Sequence, residues 1–137
     1  MTHDDATLHA PAQGAPVGRP LGAGASRGAL AAFGVALAVH LGVLYWPHAV
    51  AAPTGFGWDK VVHALIFGAV AWTGARAGVP LRLLLPALLA HALVSEGVQH
   101  WLLPGRTGDL GDSAADACGT LLAAALLARD ARRRRVR

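Results

Sequence analysis

Hydrophobic residues in this chain gather into four long runs, and the polar residues between them are few and clustered. The first run, Gly28–Trp46, is broken only by His40 before it ends in Tyr45-Trp46. A helix needs about 20 residues to cross the hydrocarbon core of a bilayer, so this run is predicted to span. The second, Lys60–Ala77, is shorter, interrupted by Thr73 and closed by Arg76. The third, Leu81–Trp101, opens after Pro80, and a kink is expected near Pro86, whose missing N–H breaks the hydrogen-bond ladder. The fourth, Asp112–Ala128, is marginal at roughly 25 Å. The expected architecture is all-α, a four-helix transmembrane bundle over 28–128. Residues 1–27, rich in Ala, Gly and Pro, cannot bury enough apolar surface to offset their ordering entropy and are expected to form a disordered tail. Residues 129–137 are expected to form a basic tail.

The first run could be mistaken for a secretion signal, because Ala49-Val50-Ala51 resembles a cleavage site. Its apolar stretch exceeds the usual core of about 7–15 residues, and the segment before it is long and starts with Asp4 and Asp5 rather than basic residues. All four helices are expected to stay in the mature protein.

Composition agrees with the pattern. Of 137 residues, 54% are hydrophobic and only 15% charged, with mean hydropathy +0.44, whereas a soluble domain carries about a quarter charged residues. The high isoelectric point, near 10.6, does not describe a basic folded face. Six of the last nine residues are arginine, which reads as an anchor against anionic lipid and not as a nucleic-acid surface. With both termini cytoplasmic, Arg19, Arg27, Arg76, Arg82 and the arginine run lie inside, and only Lys60 and Arg106 lie outside. The positive-inside rule therefore selects that orientation. Trp46, Trp58 and Trp101 then mark the outer interface. The single Cys118 has no disulfide partner and is expected to pack in the core. No metal motif, phosphate loop or nucleophile elbow is present, so neither a metal nor a cofactor is expected.

Charged residues beside bilayer-spanning helices are costly unless they line a pocket or pair with one another. In this orientation three polar stretches reach one outer layer: Asp59, Lys60 and His63 at the start of the second helix; Glu96 and Gln99 near the end of the third; and Arg106, Asp109, Asp112 and Asp116 in the loop and the fourth helix. Asp59 is a suitable N-cap. On the third helix Ala92, Ser95, Glu96, Gln99 and Leu103 share a face, with His91 deeper at its edge. On the fourth, Asp112, Asp116, Gly119 and Ala123 form a stripe whose small residues permit close helix approach. These nine polar side chains are the candidate pocket. Glu96 is expected to partner Arg106 or Lys60, directly or through a ligand. A purely structural reading stands beside the pocket: Lys60 and Arg106 could staple the helix ends, with Gln99 and His63 satisfying backbone groups. His40 is expected to be a packed or interfacial imidazole.

Asp59-Lys60-Val61-Val62-His63, then Ser95-Glu96-Gly97-Val98-Gln99, then Leu103-Pro104-Gly105-Arg106-Thr107-Gly108-Asp109-Leu110-Gly111-Asp112, and finally Asp112 through Gly119 follow one another in order. This series resembles the VanZ-like family over about residues 30–128. The resemblance implies a small multi-pass protein of the bacterial inner membrane, whose best-known relative is linked to low-level resistance to teicoplanin, a glycopeptide acting on the cell wall. Two departures stand out: Asp116 occupies a position where the family usually has Asn, and Ala64 one where an aromatic residue is common.

The expectation is therefore a cell-envelope membrane protein with an outward-facing polar pocket affecting glycopeptide susceptibility. Its partners would be membrane lipid and a lipid-linked envelope precursor or the glycopeptide itself; a homo-oligomer is left open. One rival is a membrane-embedded enzyme acting on a lipid or cell-wall precursor, with Glu96 or Asp112 as general base and His63 as acid or base. Another is a proton-coupled carrier, for which four helices would require oligomerisation.

Overall fold

The computed structural model describes residues 25–46, 57–104 and 108–136, and these form four α-helices. The first, α1 (Arg27–Tyr45), starts at Ser26, whose Oγ accepts a hydrogen bond from the Ala29 N–H at 3.1 Å. Helix α2 (Trp58–Arg76) begins after Gly57, held at φ 63°, and is followed by Gly78, at φ 90°. That left-handed glycine lets the Ala77, Gly78 and Val79 amides fold back on the carbonyls of Thr73, Ala75 and Gly74. Pro80 then stops the helix from resuming. Helix α3 (Leu81–Leu102) runs on through Pro86, and α4 (Leu110–Arg135) starts at Asp109, whose side chain accepts from the Gly111 N–H at 2.8 Å.

Sequential helices run up and down, so α2 and α4 lie parallel to one another. Their contact is the most extensive in the molecule. At the end carrying the α1–α2 and α3–α4 connections, here the distal end, Lys60 meets Asp109 and Asp112. At the opposite end Phe33, Gly74 and Leu84 bring α1, α2 and α3 together. A Cβ on Gly74 would lie 3.0 Å from both neighbouring side chains. Between the ends sits an apolar core of Leu44, Phe67, Val70, Ala71, Leu84, Leu88, Ala92 and Ala123.

Three helices, α1, α3 and α4, are long and apolar enough to cross a membrane. Their outer faces carry exposed Val35, Leu83, Leu93 and Leu122, the reverse of a soluble surface. The chain is a membrane protein.

Helix α2 is less apolar than these three because Asp59 and Lys60 dilute it, and it packs against α1, α3 and α4, which leaves it less lipid-facing surface. Three sequence expectations change. Helix α4 continues through most of the arginine run to Arg135 instead of yielding to a tail at 129, since alanine, leucine and arginine all favour helix and cations suit its C-terminus. Asp59 is not an N-cap; Gly57 holds that position without a side-chain bond, and Asp59 sits in the first turn. Cys118 is exposed, because it points away from the buried stripe of Asp116, Gly119 and Ala123. The expected disordered tail before residue 25, the Ala49-Val50-Ala51 site and Arg106 lie outside the described residues.

Candidate functional site

Parallel packing sets α2 and α4 side by side in a fixed register. Lys60 reaches Asp112, one turn deeper His63 reaches Asp116, and below them the backbone of Ala64 meets Gly119. Gly119 makes this possible: a Cβ there would run into the Ala64 carbonyl. On the facing side Gly68 lies so near that its own Cβ would sit 3.1 Å from the Gly119 carbonyl oxygen. Close contact between small residues thus brings polar side chains from both helices into pairing distance.

The α3–α4 connection packs just as closely. A Cβ on Gly108 would be 2.6 Å from the Glu96 carbonyl and 2.9 Å from the His100 Cβ. This contact carries the next residue onto the end of α3, where the Asp109 N–H donates to Glu96 Oε2 at 2.8 Å. Glu96 therefore pairs with backbone and not directly with Lys60; Arg106, its other expected partner, lies outside the described residues. Beyond it, Lys60 stretches across Gly111, whose Cβ would lie 2.8 Å from the lysine Cε.

The candidate residues separate into two layers. In the outermost, Lys60 Nζ donates to Asp109 Oδ2 at 2.7 Å and Asp112 Oδ1 at 2.9 Å, with Asp59 Oδ2 at 3.5 Å. The Asp112 side chain is only 10% exposed, so it meets the lysine in a drier setting than the two rim carboxylates. Asp109 is held below its ordinary carboxylate range, first by the Lys60 ammonium and then by the Gly111 N–H. This layer ties the start of α2 to the start of α4.

Beneath it lies a second layer of His63, Glu96 and Asp116, one from each of three helices, at 7%, 6% and 0% exposure. His63 Nδ1 is 3.0 Å from Asp116 Oδ1. With Asp116 ionised, the imidazole donates from Nδ1 and keeps its Nε2 lone pair. One donor atom from each of the three residues lies within 4.8 Å of the other two. Among the described residues Glu96 Oε1 and Asp116 Oδ2 are buried without a hydrogen-bond partner, and neither carboxylate is in an ion pair with Lys or Arg. Such a group inside a helix bundle is expensive, and its retention points to a use beyond packing.

Gln99 satisfies a backbone group, as the structural reading has it. Its Nε2 donates to the Leu44 carbonyl at 3.1 Å and secures the last turn of α1. Ser95 and Ser113 both donate to the Ala92 carbonyl at 3.1 Å; the first bond lies within α3 and the second joins α4 to α3. The polar layers are compact and line neither of two clefts elsewhere. One of these, about 410 Å3, is an apolar groove along α2 and α4 that includes Leu65, Trp72, Cys118 and Leu122. The other, about 380 Å3, lies by Ser26, Trp72 and Arg76.

Sequence reasoning missed a further cluster. His91 Nδ1 is 3.1 Å from His40 Nε2, and its Nε2 is 2.8 Å from the Tyr45 hydroxyl. His40 is 1% exposed and meets the edge of Phe67 with ring centroids 4.5 Å apart. The available signal was two histidines deep in apolar runs, but joining them needs the rotation of α1 against α3. Comparison with family models, characterised proteins and solved structures finds no match to this chain.

Proposed function

We propose that this chain is a VanZ-like protein of the bacterial inner membrane that acts at the cell envelope and lowers susceptibility to glycopeptides such as teicoplanin. In this reading both termini are cytoplasmic, as the distribution of Lys and Arg favours, and the distal end faces outward. The buried layer of His63, Glu96 and Asp116 is then the working centre, where the polar head of a lipid-linked envelope precursor is engaged. The observation that carries the reading is the pair of unpartnered, buried carboxylate oxygens on Glu96 and Asp116. A staple needs charges that neutralise each other, as Lys60 does with Asp109 and Asp112; it does not need these.

A second reading draws on the same layer. A carboxylate that fixes one imidazole nitrogen leaves the other as a general base, and Asp116 stands in that relation to His63. An enzyme acting on a lipid-linked envelope precursor would use the pair in this way.

The test is growth of an otherwise susceptible bacterium with and without the chain, across a teicoplanin series. The wild-type chain should raise the inhibitory concentration, and Glu96→Gln should abolish the gain at equal membrane abundance. No gain from the wild-type chain would remove the envelope role.

A further inference from the structure

We infer that His63, Glu96 and Asp116 form a binding site for one divalent transition-metal ion, with zinc as its best fit. The inference concerns the same buried centre as the proposed envelope role, but it rests on geometry alone and holds whether or not glycopeptides are involved.

Three features of the centre suit a cation. Its donor set is one imidazole nitrogen and two carboxylate oxygens. Zinc sites that do chemistry typically take three protein ligands of these kinds and leave a fourth position open. The donor atoms already converge: each lies within 4.8 Å of the others. At that outer limit a point equidistant from all three would be roughly 2.8 Å from each. Zinc bonds to nitrogen and oxygen run about 2.0–2.2 Å, so side-chain adjustments of less than about 1 Å would close the shell.

The remaining hydrogen bonds also fit. Glu96 Oε2 is held by the Asp109 N–H, leaving Oε1 free for a metal. Asp116 Oδ1 faces His63, leaving Oδ2 free. Metal ligands are commonly oriented in this way by a second hydrogen bond. Here both free oxygens belong to side chains more than nine-tenths buried. Both side chains belong to the converging cluster, and among the described residues neither is paired with Lys or Arg.

Charge points the same way. Lys60 is already shared by Asp59, Asp109 and Asp112 in the layer above. Among the described residues the two deeper carboxylates have only His63 between them, a single neutral or singly charged imidazole. A divalent ion would offset both, in a setting where unbalanced charge is costly. Among the described residues no sulfur ligand is at hand, since Cys118 lies on the exposed face of α4. Among oxygen- and nitrogen-preferring ions, the imidazole favours zinc over magnesium or calcium.

The experiment uses the full chain purified in detergent, stripped with a chelator and dialysed against zinc chloride. Metal analysis gives the stoichiometry, and thermal melting is followed with and without zinc. The expected result is one zinc per chain and a higher melting temperature with the ion. Glu96→Gln and Asp116→Asn should each weaken binding by at least about 100-fold, since even supporting residues around a metal cost 10–100-fold. His100→Gln, on the exposed end of α3, should keep it. Cobalt binding to the wild-type chain, followed by its visible absorption, reads the nitrogen–oxygen ligand set without any substitution. Less than one zinc per wild-type chain, or undiminished affinity in both carboxylate variants, would overturn the site. Neither result would bear on the teicoplanin phenotype, so the two ideas fail separately.

Discussion

Three of the contacts that Asp109 makes have different physical roles. Its amide holds Glu96, one carboxylate oxygen caps α4 at Gly111, and the other meets Lys60. Asn at this position can still cap, so Asp109→Asn isolates the charge. The carboxyl group titrates lower in the folded chain than in the unfolded one, chiefly because of Lys60. Its contribution to stability is therefore complete above the unfolded value, near 3.9, and disappears as pH falls through the lower folded value. Wild type should melt above Asp109→Asn at neutral pH, and the gap should close as the buffer is taken well below pH 4. A gap that persists in acid would mean that the substitution acts through the cap and not through the ion pair. At this scale the sequence was a good guide to residue type and depth, and a poor one to partner. It brought Lys60, Asp109 and Asp112 into one layer, yet did not foresee the backbone amide that holds one oxygen of Glu96. The difference rests on Gly108, whose close approach to α3 cannot be read from composition.

Among the elements, the α2–α4 contact controls everything distal. Gly119→Ala places a methyl group against the Ala64 carbonyl, backbone against which no side-chain rotation gives relief. The expected loss is about 1–3 kcal/mol or more, as for overpacked cores. The matched change Gly34→Ala on α1 meets nothing within 4 Å. It should be neutral or stabilising by about 0.5–1 kcal/mol, because glycine weakens a helix interior. Detergent melting of the two variants checks both signs, and equal effects would contradict the close-packed register. The helices themselves were largely legible in the runs of apolar residues, and the inward stripe of α4 in its Asp112, Asp116, Gly119 and Ala123 spacing. What stayed hidden was lateral: that α2 packs most extensively against α4, and that His40 and His91 meet across α1 and α3. Periodicity fixes which face of a helix is polar, but not which neighbour that face meets.

For the whole molecule, orientation decides whether the distal layers meet the outside. Leu110 is exposed at the start of α4 and Val136 at its far end. In a Cys118→Ala background, Leu110→Cys should react with an impermeant maleimide in intact cells, and Val136→Cys only after the membrane is opened. The opposite pattern would turn the proposed site inward and remove its access to envelope substrates.

The claim that most needs testing is that the two distal layers do different jobs, the Lys60 layer holding helices and the His63–Glu96–Asp116 layer carrying function. Its direct test is one plot of teicoplanin protection against the amount of folded protein in the membrane. The series comprises wild type, Lys60→Met, Asp109→Asn, His63→Gln and Glu96→Gln. Lys60→Met and Asp109→Asn should fall on the wild-type line, losing protection only in proportion to folded protein. His63→Gln and Glu96→Gln should fall to the level of cells without the chain while remaining folded. All four variants on a single line would contradict the division and leave the deeper layer as one more structural contact.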